Sequence, residues 1–159
     1  MIKRATMEDT DVLYDIIDTK KFPGAIRDMV HRLRSPLVYV FLSEDKEALM
    51  IFEPCYGIVP WVNGHVYSKE SIRGPRLMEF YLECGLYIAD HTDYEVITVV
   101  VPEWLGLRHS LWMSHVGFTK RWDILGNMMF TADMSQVDKF RDHLKKLKET
   151  LEPKKPKGE

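Results

Sequence analysis

The sequence predicts a single α/β domain, and three features carry that prediction. Residues 37–42 and 96–101 are runs rich in β-formers, the second β-branched at every position from Val96 to Val101 and apolar at all but Thr98. Between them, Gly74-Pro75 opens a segment in which Leu77, Tyr81, Cys84 and Ile88 recur at helical spacing. A last helix is of another kind: Val137, Phe140, Leu144, Leu147 and Leu151 follow at alternating steps of three and four, a narrow heptad-like seam.

The remaining elements fall between these landmarks. Residues 2–5 alternate as a short strand, and Thr6 can cap a helix over 7–18 with Leu13, Ile16 and Ile17 inward. Phe22-Pro23-Gly24 interrupts the chain before a helix over 25–34, which Ser35-Pro36 ends. The strand at 37–42 returns through a polar turn as a strand at 48–53, and 54–60 is loop. Residues 61–67 alternate again, with Trp61, Asn63, His65 and Tyr67 on one face and Val62, Gly64 and Val66 on the other. Residues 75–90 form a helix, the buried-type strand at 96–101 stops at Pro102, and a helix over 103–115 precedes Gly117-Phe118. A hairpin of 118–125 and 128–132 turns at Gly126-Asn127, and Ser135 with Asp138 starts the seam helix. The division expected is a domain over 1–134, a helix over 135–151 and a disordered, Pro- and Lys-rich tail over 152–159.

Composition narrows the function classes. A chain of 159 residues with 45% hydrophobic and 29% charged residues folds without metals or disulfides. Its formal charge of −2 gives no general pull toward nucleic acid or an anionic membrane. The charge is uneven: residues 136–159 carry net +3, leaving −5 on the rest, a basic end on an acidic body. Cys55 and Cys84 are too few for a disulfide framework and lack metal-ligand spacing. His109 and His115 sit six apart with no accompanying carboxylate, which is poor metal geometry. No signal-type core or run of about 18 apolar residues occurs, so a cytoplasmic protein is expected. The four tryptophans, Trp61, Trp104, Trp112 and Trp122, read as core or interface residues.

The element order β-α-α-β-β-β-α-β-α-β-β resembles that of the GNAT (acetyl-CoA-dependent N-acyltransferase) superfamily over residues 1–133. Its landmarks are the opening Met1-Ile2-Lys3-Arg4-Ala5-Thr6-Met7-Glu8-Asp9, the strand ending in Pro102-Glu103, and the helix closing in Gly117-Phe118. The resemblance implies a mixed central sheet flanked by helices, with the seam helix as an addition. It also implies acetyl-CoA as cofactor, bound where a strand passes into a helix through Gln/Arg-x-x-Gly-x-Gly/Ala. Free backbone N–H groups and a positive dipole end meet a pyrophosphate there. The corresponding residues are Ser71-Ile72-Arg73-Gly74-Pro75-Arg76, so Arg73, Gly74, Arg76 and Leu77 are the candidate cofactor contacts. Val66 joins them, at a position whose backbone meets the acyl carbonyl in the family. Gly74 fits the pattern, Ser71 departs from it, and Arg76 brings bulk where Gly or Ala is expected, although a guanidinium also contacts phosphate.

The chemistry implied is attack of an amine on a thioester, helped by a base and by an acid for the departing thiolate. Family members often carry Asn and Tyr where this chain has Gly106 and Met113, and Met113 has no ionisable O–H; Tyr67 and Tyr87 are possible substitutes. Glu53 and His65 are the candidate bases. Each has a plainer reading, Glu53 as a solvated strand end and His65 as a half-buried strand residue. Asp90-His91-Thr92-Asp93-Tyr94-Glu95 leading into the 96–101 strand is similar to GNAT-like proteins of tailed phages, some of them internal virion or head-assembly proteins. Two functions follow: an N-acetyltransferase acting on an amine substrate, or a catalytically idle virion or head-assembly protein, packaged in a virion and contacting a protein partner through the 137–151 seam.

Overall fold

A computed structural model describes residues 2–17, 28–55, 60–69, 71–72, 74–103 and 106–152. Seven strands form one sheet in the order β1-β2-β3-β4-β5-β7-β6. They are β1 (Ile2–Arg4), β2 (Tyr39–Ser43), β3 (Ala48–Pro54), β4 (Trp61–Ser68), β5 (Val96–Pro102), β6 (Thr119–Ile124) and β7 (Asn127–Asp133). Among the described residues only β4 and β5 pair in parallel, so the sheet is mixed. The helices are α1 (Thr10–Ile16), α2 (Met29–Arg34), α3 (Pro75–His91), α4 (Gly106–His115) and α5 (Val137–Leu151).

The alternation of the strands divides the core in two. On one face, Leu13, Ile16 and Met29 of α1 and α2 pack on Val40, Leu42, Leu49 and Ile51. On the other, Phe80, Cys84 and Ile88 of α3 and Met113 of α4 pack on Phe41, Phe52, Val62, Ile97 and Val99. Cys84 is fully buried there, and desolvation pushes its thiol well above the ordinary range.

The first helix is shorter than its sequence predicts. Residues Met7–Asp9 form a 3-10 turn and α1 proper starts at Thr10. Asp9 sets this boundary: its carboxylate accepts from the Thr6 N–H at 2.9 Å and from Lys3 Nζ at 2.8 Å. These partners hold its carboxyl below the usual carboxylate range. The helix expected over 25–34 is described from Met29, and 25–27, like the 153–159 tail and Trp104, lies outside the described residues.

The seam helix corrects the partner-surface expectation. α5 lies antiparallel on α3, with Arg141 paired to Asp90 and Lys148 to Glu83 (3.1 Å). Phe140 is 2% exposed in a cluster with Leu82, Leu86, Val116 and Ala132, onto which Val137, Leu144 and Leu147 also pack. Leu151, the seam's last member, is half-buried beside Ile72, Arg76 and Phe80. The apolar seam is spent on the chain's own domain, because it is the face that α3 leaves uncovered.

Candidate active site

The sheet splits where its two parallel strands part. β4 and β5 are paired from Trp61↔Val96 only as far as Gly64↔Val99. Beyond that point β4 continues along β3 to Ser68, while β5 continues along β7 to Pro102. Gly64 sits at the fork for a steric reason. A Cβ there would lie 3.2 Å from Met50 Cε and 3.3 Å from the Phe52 ring.

Side chains on the two sides of this fork differ in character. Towards α3 and α4, Val66, Val99, Tyr81, Trp112, Met113 and Phe140 line an apolar cavity of about 30 Å³. Val66 therefore lies on the cavity side, as its alternation predicts, and Met113 is buried in the wall. Tyr81, which sequence reasoning placed only in a helical stripe, reaches the cavity. Burial drives its phenol far above the ordinary range, against a hydrogen bond with Ser68, so it stays protonated and can donate. Tyr87 does not reach the fork. It packs on Tyr39 and Phe41 and stacks on His91 at 4.0 Å between ring centroids.

The opposite side carries a polar cluster. Glu53, Asn63, His65 and Tyr67 face α2, with Glu53↔Asn63 and Ile51↔His65 in cross-strand register. His65 Nε2 stands 3.6 Å from Glu53 Oε1, and Arg32 Nε of α2 stands 2.8 Å from the same oxygen. That oxygen is buried and receives no aligned hydrogen bond, so the Arg32 contact is an ion pair. Glu53 is thus a partly buried, paired carboxylate rather than a solvated strand end.

Hydrogen bonding fixes the state of His65. The buried Thr98 hydroxyl donates to Asn63 Oδ1 at 2.9 Å. This leaves Asn63 Nδ2 to donate to His65 Nε2 at 3.2 Å, which requires the Nδ1–H tautomer with a lone pair on Nε2. Burial lowers the imidazole pKa from its ordinary value; Glu53 opposes that shift and Arg32 adds to it. The ring is neutral at neutral pH and can accept a proton. Tyr67 is shifted upward, chiefly by burial.

The helix start beyond β4 has room for an anion. Gly74 is the N-cap of α3, at φ 64° and ψ −138°, and among the described residues, its chain neighbours aside, nothing lies within 4 Å of where its Cβ would be. Gly74 has no side chain to cap this end and Pro75 has no N–H, so the Arg76 and Leu77 amides have no partner within the helix. The Arg76 side chain runs along the outer flank of α3, where Ser43, Glu44, Asp45, Glu79 and Glu83 line a depression of about 470 Å³. The carboxylates of that flank repel an anion on the Arg76 side. Leu77 is half-buried against the core, and Arg73 lies outside the described residues.

Arg32, Asn63, Thr98 and Tyr81 are site residues that sequence reasoning missed. Asn63 had a signal, since it shares the alternating face of His65, whereas Arg32 had none. His115 packs edge-on against His143 at 4.7 Å across α4 and α5, away from the fork. Among the described residues no three His, Cys, Asp or Glu side chains gather as metal ligands, and no helix is long and apolar enough to cross a membrane.

A split between two parallel strands, with a helix opening beyond it, is the architecture of the GNAT N-acetyltransferases, and solved structures agree. A nucleotide-linked sugar GNAT superposes with a TM-score of 0.67 at 13% identity, over 92% of this chain and 93% of that one. An aminoglycoside N(6')acetyltransferase from Legionella pneumophila gives 0.65 at 12% identity, over 87% and 94%. A spermidine/spermine N-acetyltransferase from Vibrio cholerae gives 0.64 at 10% identity, over 86% and 93%. No protein-family model matches the sequence, and no curated protein matches it. The chain has the GNAT fold with an added C-terminal helix; likenesses at these identities carry the fold alone.

Proposed function

We propose that the protein is an N-acyltransferase that moves an acetyl group from acetyl-CoA to an amine. The observation that carries this reading is the fork after Gly64 and Val99, with an apolar cavity on one side and a neutral, hydrogen-bonded histidine on the other. Acetyl-CoA supplies an acyl thioester when bound. Its diphosphate is held by the Arg76 and Leu77 amides, with Gly74 keeping the approach clear and Arg73 as a further contact. Val66 contributes backbone at the fork, where β4 has no partner on the β5 side. The amine comes from the α2 side. The amine displaces Asn63 Nδ2 as the donor to His65 Nε2, which then takes its proton, and Glu53 stabilises the imidazolium that results. The amine nitrogen bonds to the acyl carbon, the carbon–sulfur bond breaks, and the thiolate takes up a proton. With Met113 in the wall, the Tyr81 hydroxyl stays protonated and donates a hydrogen bond to the thiolate on the cavity side, while the proton that the thiolate takes up is the one the amine has lost.

A coupled thiol-release assay with a panel of primary amines tests this. Turnover that is lost in His65→Ala and weakened in Glu53→Gln supports it; thiol release from no amine opposes it.

Met113 favours a second reading. A buried thioether where the family's tyrosine stands suits a GNAT-fold protein of the tailed-phage type that is packaged in virions and works through protein contacts. Such contacts would use surfaces other than the α5 seam. Absence of both cofactor binding and turnover is the outcome that favours it.

A further inference from the structure

The polar cluster at His65 does not stand alone on its face of the sheet. Pairing of β4 with β5 ends at Gly64↔Val99, so His65 and Val100 are the first residues past the fork on their two strands, and alternation puts both on the same face. Val100 pairs with Met129, and Met129 pairs with Trp122. Val100, Met129 and Trp122 therefore form one apolar cross-strand row on the face of His65, beginning on the far side of the fork. Val100 is 41% exposed and Trp122 46%, with Met129 half-buried between them. The polar row beside it, Thr98 and Thr131, is satisfied within the sheet by Asn63 and by Arg121, whose Nε donates to Thr131 Oγ1 at 2.8 Å. Arg121 sits in the bulge of β6 next to Trp122.

We infer that this row holds the body of the acceptor, and that the acceptor is a monoamine carrying a flat apolar group. The inference rests on the acyltransferase reading for the amine end and on the strand register for the rest. An amine at His65 has two directions open to its substituent. Towards β3 it meets the Glu53–Arg32 ion pair; across the fork it meets apolar surface. Successive strands lie about 4.8 Å apart, so Trp122 is roughly 10 Å beyond Val100. A ring two or three carbons from the nitrogen reaches Val100 and Met129, and a longer or larger apolar body is needed to reach Trp122. Met129 is the adaptable member of the row. A polyamine fits poorly: its further ammonium groups would lie on apolar side chains with the Arg121 cation close by.

The test is binding and turnover of a graded amine series: ethylamine, butylamine, hexylamine, phenethylamine and tryptamine, with spermidine as the polycation. Affinity is measured calorimetrically without cofactor, and acetyl transfer is measured separately. One face of each added methylene is buried, so affinity rises about twofold per methylene, the aromatic amines bind tightest, and the Met129 ε-methyl NMR signal shifts on titration. Trp122→Ser and Val100→Thr flatten the dependence on length; the second is nearly isosteric and guards against misfolding of the first. A slope that survives in both variants overturns the inference, as does equal or tighter binding of spermidine or no binding at millimolar amine. A slope that the variants abolish, with no acetyl transfer to any amine, upholds the apolar row and removes the acyltransferase reading instead.

Discussion

Arg32 Nε and Glu53 Oε1 lie 2.8 Å apart, joining α2 to β3 directly beneath His65. Each side chain is less than a quarter exposed, so neither charge is well solvated. Replacing Arg32 by Met leaves a partly buried carboxylate without its partner, at a cost of about 1–3 kcal/mol. It also removes a cation that holds the imidazole pKa down. Urea unfolding reads the first effect; an upward shift of the His65 titration by NMR reads the second.

The pH dependence of turnover has a definite sign. A base that is neutral because its pKa is lowered keeps working below the ordinary histidine value of about 6.5. The acid limb of kcat/KM therefore falls below that value and moves upward in Arg32→Met. Stability carries the same sign through His65: the unfolded chain takes its proton first. That contribution declines as pH drops below about 6.5 and levels off beneath the native pKa.

Phe140 tests the role of α5. It is 2% exposed, fills a wall of the cavity and stacks on Phe118 at 5.6 Å. Phe140→Ala is expected to lose about 3–5 kcal/mol of stability, read as a lower urea midpoint. Phe140→Asp with Leu147→Asp unfolds the domain; unchanged stability with an altered assembly state would show the seam to be a partner surface after all.

Gly74 has a backbone conformation that side chains disfavour, with open space around it. Gly74→Val costs on the order of 1–3 kcal/mol from the dihedral alone. It also puts branched bulk before the Arg76 and Leu77 amides. The expected outcome is a lower melting temperature together with at least about tenfold weaker acetyl-CoA binding by calorimetry.

Much of this architecture was legible in the chain. The β-branched 96–101 run, the Gly74-Pro75 helix start and the heptad-like spacing of α5 each reflect local physics, namely propensity, capping and periodicity. What escaped is what register and packing decide. Alternation put His65 on one face and Val66 on the other, but the fork depends on where β4 stops pairing with β5, which no local pattern encodes. Arg32 belongs to a short helix whose polar residues look alike, and only the packing of α2 on β3 selects it. Glu53 sits before Pro54, which in sequence resembles a solvated strand end. The destination of the α5 seam was likewise a tertiary question, settled by the bare flank of α3.

On the acyltransferase reading, the Arg76 and Leu77 amides behind Gly74 receive the diphosphate of acetyl-CoA. Calorimetric titration of the full chain with acetyl-CoA is then expected to show saturable micromolar binding that Gly74→Val weakens, whereas no heat at millimolar acetyl-CoA means that this helix start takes no cofactor.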